Sequence, residues 1–195
     1  MFTKEELLKR GQKLIKRFCK LNKISEPKVN VMTEHNWAVG ACAYYRPETI
    51  TICLSKCQHP CGEKRNRNWS WPGNTVDRTP YGVLAHELGH HCDYLTGETK
   101  YSYSSNYCEE VMAASGETQL TGYCDNPAEW FAEMFRLFVT NPLLLQKIRP
   151  KTFSLISEKF KPLKFTSWKH GLLEGVPDRV INTCETKIIK AGGKA

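Results

Sequence analysis

Residues 86–90 read His86-Glu87-Leu88-Gly89-His90 and match the pattern H-E-x-x-H. The motif lies within residues 81–95, where apolar residues recur at helical spacing and Gly97 follows as a C-cap. Positions i and i+4 of a helix are only about 40° apart around its axis. Both imidazoles therefore project from one face, where they can share a tetrahedral zinc ion. Glu87 lies on the adjoining edge, within reach of a water molecule bound to that ion.

A catalytic zinc site of this kind needs a third protein ligand, and the neighbouring residues narrow the choice. His91 is turned about 100° away from His90 and cannot bind the same ion from this helix. The metzincin continuation of the motif is missing, because Asp93 and Thr96 occupy the places of its glycine and its third histidine. No histidine occurs between His91 and His170. A carboxylate is therefore the expected third ligand.

Residues 127–140 are predicted to form a second helix with carboxylates on one side. Asn126-Pro127 opens it, since proline suits the first turn of a helix. Glu129 and Glu133 lie one turn apart on one face of an otherwise apolar segment. Carboxylates on a buried face are costly unless they are paired or bound to metal. One can therefore bind the ion while the other accepts the free N–H of a ligand histidine. A solvent-facing glutamate pair is the alternative.

Together these segments resemble the gluzincin-type zinc metallopeptidases, in particular the group of the anthrax lethal factor catalytic domain and the Pro-Pro endopeptidases. The resemblance covers roughly residues 80–160, with weaker similarity from about residue 40, and extends to small phage or bacterial metallopeptidases. It rests on His86–His90 with Asp93-Tyr94, on Leu120-Thr121-Gly122-Tyr123, on Glu129-Trp130-Phe131-Ala132-Glu133, and on Asn141-Pro142 and Arg149-Pro150-Lys151-Thr152-Phe153.

The resemblance implies a role for each site residue. Glu129 is the implied third zinc ligand beside His86 and His90. Glu133 is implied to support a ligand histidine, and Asp93 is implied to be among the residues that surround the ligands. Tyr123 is the implied donor to the oxyanion. The implied activity is that of a zinc-dependent endopeptidase that hydrolyses peptide bonds through a zinc-activated water, with Glu87 as the general base. Other tyrosines compete with Tyr123 for the oxyanion role: Tyr81, Tyr94, Tyr101, Tyr103 and Tyr107.

The remaining periodicities predict one α+β domain over residues 1–195, with a zincin-like architecture. A capping box at Thr3 and Glu6 begins an amphipathic helix over residues 4–21. Residues 28–56 alternate as strands of a small antiparallel or mixed sheet, and strand 49–54 is the expected edge for an extended peptide substrate. A short helix is expected near residues 109–114, and further helices fill residues 142–190, giving a helical C-terminal half.

The chain has nine cysteines, an odd number that favours mostly reduced thiols. Cys53, Cys57 and Cys61 lie four residues apart, which permits but does not diagnose metal binding. A second, structural zinc at these three positions, with Cys42, Cys92 or Cys108, is therefore an alternative to ordinary reduced cysteines.

Charge and hydropathy bear on partners and location. The net charge is +8, yet residues 81–133 hold nine acidic residues and Lys100 as their one base. An acidic centre does not suit a nucleic-acid cleft, so a protein or peptide substrate is favoured over nucleic acid. No apolar run approaches the length of a membrane span, and the charged N-terminus lacks a signal peptide, which favours the cytoplasm.

Two other functions remain open from the residues. A SprT-like protease acting on DNA-bound proteins would agree with the sequence pI of about 9.0, but the third histidine is missing. The second is a catalytically idle zincin fold that serves as a basic binding or assembly module. Glu87 argues against it, because a structural zinc needs no general base.

Overall fold

The computed structural model describes residues 2–32, 41–58, 77–97, 106–120 and 126–164, which form a mixed α+β structure. The α+β class predicted from the sequence is confirmed. Six helices and three strands occur in this part of the chain: α1 (Lys4–Asn22), β1 (Lys28–Met32), β2 (Ala43–Arg46), β3 (Thr49–Cys53), α2 (Pro80–Thr96), α3 (Asn106–Ser115), α4 (Pro127–Thr140), α5 (Pro142–Ile148) and α6 (Pro150–Lys159).

Helix α1 begins at the predicted capping box. Thr3 Oγ1 accepts the backbone N–H of Glu6 at 3.1 Å, and the Glu6 carboxylate accepts that of Thr3 at 2.8 Å. These two bonds satisfy amides that have no partner within the helix. Its apolar side packs on α2 and buries Leu7, Leu8, Gly11, Leu14, Ile15, Phe18 and Cys19.

The three strands form a mixed sheet with the order β1-β3-β2. As the sequence predicts, β2 and β3 are antiparallel; β1 pairs in parallel with β3. Strand β3 is therefore central, and Ile50, Ile52 and Cys53 are fully buried. The prediction that strand 49–54 offers an edge to a substrate is wrong, because its backbone groups pair on both sides. The edges of the described sheet are β1 and β2.

Helices α2 and α4 make the most extensive contact between elements of the described chain. Their backbones approach closely at Gly89 and Ala132, where a Cβ on Gly89 would lie 2.8 Å from Ala132 Cα. Glycine is required there because no larger residue fits without moving a helix. This crossing brings residues 86–90 against residues 129–133, so the fold itself joins the two predicted motifs.

The predicted helices from residue 142 onward begin as expected with α5 and α6. Arg149, between them, donates to the Thr118 carbonyl at 2.7 Å and fixes the segment that follows α3. The rest of the predicted helical region beyond residue 164 lies outside the described residues. No helix in the described ranges has the length and apolarity to cross a membrane.

Candidate metal centre

The beginning of α2 is fixed by a small polar cluster that sets the position of the H-E-x-x-H segment. Thr79 is the N-cap, and its hydroxyl oxygen accepts the Gly82 N–H at 3.3 Å. Asp77 Oδ1 in turn accepts the Thr79 hydroxyl at 2.6 Å and its N–H at 3.0 Å. Pro80 occupies the first turn, where a missing N–H costs nothing. The helix then carries His86, Glu87 and His90 toward α4.

Helix α4 is capped in a way that fixes the position of the expected carboxylate ligand. Asn126 is the N-cap, and its side-chain oxygen accepts the Glu129 N–H at 3.0 Å. Glu129 thereby lies in the first turn, where a carboxylate also interacts favourably with the helix dipole. Its side chain is 28% exposed, whereas that of Glu133, one turn later, is 8% exposed. The more accessible carboxylate faces the two histidines.

His86, His90 and Glu129 bring one ligand atom each to a common point, and these atoms lie within 4.8 Å of one another. His86 Nε2 is 3.0 Å from Glu129 Oε2, and His90 Nε2 is 3.5 Å from Glu129 Oε1. Ligand atoms about 2.0–2.1 Å from a tetrahedral zinc ion are about 3.3 Å apart. Two imidazole nitrogens and one carboxylate are also the donors that a catalytic zinc takes. The three residues therefore fit a zinc ion.

Glu133 holds the other side of His86. Its Oε1 is 2.9 Å from His86 Nδ1, which directs Nε2 toward Glu129. Arg136, which is fully buried, donates Nε to Oε1 at 3.0 Å and Nη2 to Oε2 at 2.8 Å. Burial alone would raise the pKa of Glu133, but Arg136 and His86 lower it to about 2. The carboxylate is therefore ionised and fixes the orientation of the ligand histidine.

Sequence reasoning missed Arg136. The signal was available: an arginine three residues after Glu133, in the middle of the apolar segment Met134-Phe135-Arg136-Leu137-Phe138. A buried charge at that spacing requires a partner of opposite sign, and residues at i and i+3 are neighbours on a helix. The pair therefore explains how Glu133 can stay charged inside the protein.

The carboxylates on either side of His86 favour its protonated form. Burial lowers the pKa of His86, but the carboxylates of Glu129 and Glu133 outweigh it and raise the pKa to about 10. Burial likewise raises the pKa of Glu129, and the two histidines more than reverse that effect and hold it well below its usual range. Because a ligand imidazole must be neutral, metal binding at His86 competes with proton binding.

Glu87 lies beside this group and is buried, at 6% exposure. Burial raises the pKa of its carboxyl group; His90 and His86 act in the opposite direction, and Glu129 adds to the increase. A carboxylate with a raised pKa is better suited to accept a proton near neutral pH.

His91 is excluded from the metal centre, as the helical geometry predicts. Its Nε2 donates to the Ser25 carbonyl at 2.9 Å, so Nδ1 accepts the Tyr45 hydroxyl at 3.1 Å. Burial lowers its pKa, which keeps the ring neutral. His91 therefore joins α2 to β2 and to the segment before β1.

The other predicted residues divide into described and undescribed positions. Asp93 is buried, and its Oδ1 accepts the Cys108 N–H at 3.0 Å, which fastens α3 to α2. Cys53 and Cys57 are both buried, and the described residues give no metal-binding cluster of cysteines. Tyr123 and Cys61 lie outside the described residues, so their predicted roles stay predictions.

Of the competing tyrosines, one is held in other contacts and another is buried. The Tyr107 hydroxyl is directed to the Leu155 carbonyl at 3.5 Å, and its ring packs edge-on against Phe131. Tyr81 is 3% exposed, and burial raises its pKa well above the usual range. Tyr101 and Tyr103 lie outside the described residues.

Comparison of the chain with protein-family models, curated protein sequences and solved structures finds no match.

Proposed function

We propose that this protein is a zinc-dependent endopeptidase with a zincin-type architecture. The observation that carries the proposal is the convergence of His86 Nε2, His90 Nε2 and the Glu129 carboxylate, with Glu87 buried beside them. A purely structural zinc site is normally closed by four protein ligands, whereas a catalytic site has three and an open position. Within the described ranges, three ligands converge beside a buried carboxylate, which matches the catalytic kind.

The ion would be held by His86, His90 and Glu129, and when bound it would polarise a peptide carbonyl and lower the pKa of water. Glu87 takes the proton from the attacking water and delivers it to the leaving amine. Glu133 and Arg136 do not touch the substrate; they hold His86 in one orientation and one protonation pattern. Tyr123 remains our proposed donor to the oxyanion, from the resemblance alone.

The sheet order changes where the substrate is expected to lie. Strand β2 is an edge of the described sheet and packs on α2, the helix with the H-E-x-x-H motif. An extended peptide that adds to an edge obtains backbone hydrogen bonds along its length. We therefore place the substrate strand along β2 (Ala43–Arg46) instead of along β3.

The rival functions make different predictions for the same assay. A SprT-like protease would require DNA for hydrolysis, and an idle zincin fold would bind zinc but cleave nothing. The Glu129 ligand favours the first proposal over a SprT-like enzyme, whose third ligand is expected to be a histidine. Hydrolysis of peptides measured with and without DNA separates all three.

The test is the substitution Glu87→Gln, assayed by mass spectrometry on a peptide library after zinc loading. The amide has nearly the same shape but cannot accept a proton, so we expect hydrolysis to fall at least about 10²-fold while zinc content is unchanged. Glu110→Gln is the matched control, because Glu110 is an exposed carboxylate on α3. Equal hydrolysis by the Glu87→Gln variant and the control would refute the role of Glu87, and a wild-type protein that cleaves no peptide would refute the peptidase.

A further inference from the structure

Two cysteines outside the metal centre meet where β2 begins and β3 ends. The carbonyl of Cys42, just before β2, accepts the N–H of Cys53 at 2.9 Å. The chain then turns, and the Cys57 N–H bonds to the Leu54 carbonyl at 3.2 Å. This turn returns Cys57 to the side of the hairpin on which Cys42 lies.

The Cys42 side chain lies against the turn that carries Cys57. Cys42 Sγ is 3.3 Å from the carbonyl oxygen of Lys56, the peptide group that leads into Cys57. That oxygen is about 2.8 Å from the Cys57 Cα, so the Cys42 sulfur lies within about 6 Å of this atom. The Cys57 thiol donates to the Cys53 carbonyl of the same turn at 3.5 Å. We expect rotation of the two side chains to bring the sulfurs to bonding distance.

Their surroundings give the two sulfurs different reactivities. Interaction with the Cys57 side chain lowers the pKa of Cys42 to about 7; burial opposes this effect, Arg78 and Lys56 support it, and Glu87 opposes it weakly. Cys42 is also half-buried and so within reach of small molecules, whereas Cys57 is 3% exposed. Interaction with the Cys42 side chain and burial both raise the pKa of Cys57. Cys42 is therefore the more acidic and the more accessible of the two thiols, which makes it the better nucleophile.

The other described cysteines lack these features. Cys19 and Cys108 are buried, and burial raises the pKa of each to about 12. Burial also raises the pKa of Cys92 well above its usual range. Cys53 is buried, with its sulfur 3.2 Å from the Ser55 hydroxyl. Within the described ranges, the combination of a reachable sulfur, a thiol partner and nearby cations occurs at Cys42.

We propose that Cys42 and Cys57 form a reversible disulfide when the protein meets a peroxide. The Cys42 thiolate attacks one oxygen of hydrogen peroxide, the O–O bond breaks, and Cys42 becomes a sulfenic acid while hydroxide leaves. The Cys57 sulfur then attacks the Cys42 sulfur, the S–O bond breaks, and water leaves as the S–S bond forms. Two thiols are oxidised by two electrons, and one peroxide is reduced to two waters. The bond joins the beginning of β2 to the turn after β3.

The experiment treats the reduced, zinc-loaded protein with a few equivalents of hydrogen peroxide at pH 7 and maps thiols by non-reducing peptide mass spectrometry. We expect the Cys42–Cys57 cross-link to form first, and Cys42 to react at least about tenfold faster than Cys19 or Cys108. A thiol reductant should reverse it. Cys57→Ser should stop the reaction at the sulfenic acid of Cys42, which dimedone traps. Cys53→Ser is the matched control on the same hairpin and should leave the cross-link unchanged.

Three results would overturn the proposal, and the wild-type map gives the first without any variant. One is a dominant disulfide between Cys42 and another cysteine. The second is oxidation of Cys42 no faster than that of Cys19. The third is a fall from two zinc ions per chain to one in the Cys42→Ser variant, which would assign these thiols to a structural metal site instead.

Discussion

The substitution Gly89→Ala tests whether the close crossing of α2 and α4 builds the metal centre. The added methyl would lie 2.8 Å from Ala132 Cα and 3.1 Å from Phe135 Cβ. Carbon atoms in contact prefer about 3.5–4.0 Å, so α4 must move by about 0.7 Å or more. Ala132 stands between Glu129 and Glu133 on α4, and both carboxylates must move with it. The change thus acts on the ligand geometry without touching a ligand.

The change in unfolding free energy caused by Gly89→Ala is the difference between two opposing effects. Overpacking a close contact costs about 1–3 kcal/mol, while alanine in place of glycine inside a helix gains about 1 kcal/mol. We therefore expect the metal-free protein to lose about 0–2 kcal/mol of unfolding free energy. Displacement of the ligand glutamate and of its supporting carboxylate should weaken zinc binding about 10–100-fold, as loss of a supporting contact does.

Both quantities can be measured on the same preparation. Urea unfolding of the metal-free protein gives stability, and competition with a chromophoric chelator gives zinc affinity. Gly11→Ala is the matched control: its methyl would meet Leu84 Cδ1 at 2.7 Å, where α1 packs on α2, away from the ligands. The control should lose no more stability than Gly89→Ala does and should keep its zinc affinity. Wild-type zinc affinity in the Gly89→Ala variant would show that the close crossing of α2 and α4 does not set the ligand geometry.

Three further substitutions examine separate parts of the centre. Arg136→Ala leaves the Glu133 carboxylate buried without its cation, so urea unfolding should show a loss of about 3–5 kcal/mol; a loss below about 1 kcal/mol would contradict the buried pair. Glu129→Ala should weaken zinc binding in a chelator titration far more than Glu133→Gln does, and the reverse order would exchange the two roles. Tyr123→Phe should lower kcat about 10²–10³-fold with zinc retained, whereas unchanged kcat would assign the oxyanion to another tyrosine.

The helices and the two histidines of the candidate site follow from local patterns, whereas the choice of Glu129 over Glu133 comes from the family resemblance. The capping box at Thr3, the Asn126-Pro127 start of α4 and the i, i+4 spacing of His86 and His90 each depend on residues within one or two turns. Such short-range signals survive folding, because the hydrogen bonds that they predict are made within the segment itself. The exclusion of His91 also follows from the rotation of the helix alone.

Features that depend on long-range pairing could not be read in this way. Strand β3 has the alternation of a half-exposed strand, but β1 pairs with its second edge and makes it central. Nothing in residues 28–32 specifies a parallel partner seventeen or more residues later. The small-residue contact of Gly89 with Ala132 likewise requires knowledge of which helices cross. The pair of Glu133 and Arg136 is an intermediate case. The spacing of the two residues is visible in the sequence, but their burial depends on which helices pack together.

X-ray absorption at the zinc edge, combined with metal analysis of the purified protein, shows whether His86, His90 and Glu129 bind a zinc ion. We expect about one zinc ion per chain, with nitrogen and oxygen ligands at about 2.0–2.1 Å and no sulfur ligand. The ligand shell should change when His86, His90 or Glu129 is replaced. Sulfur ligands at about 2.3 Å, or a folded protein that takes up no zinc, would contradict the assignment of the metal centre.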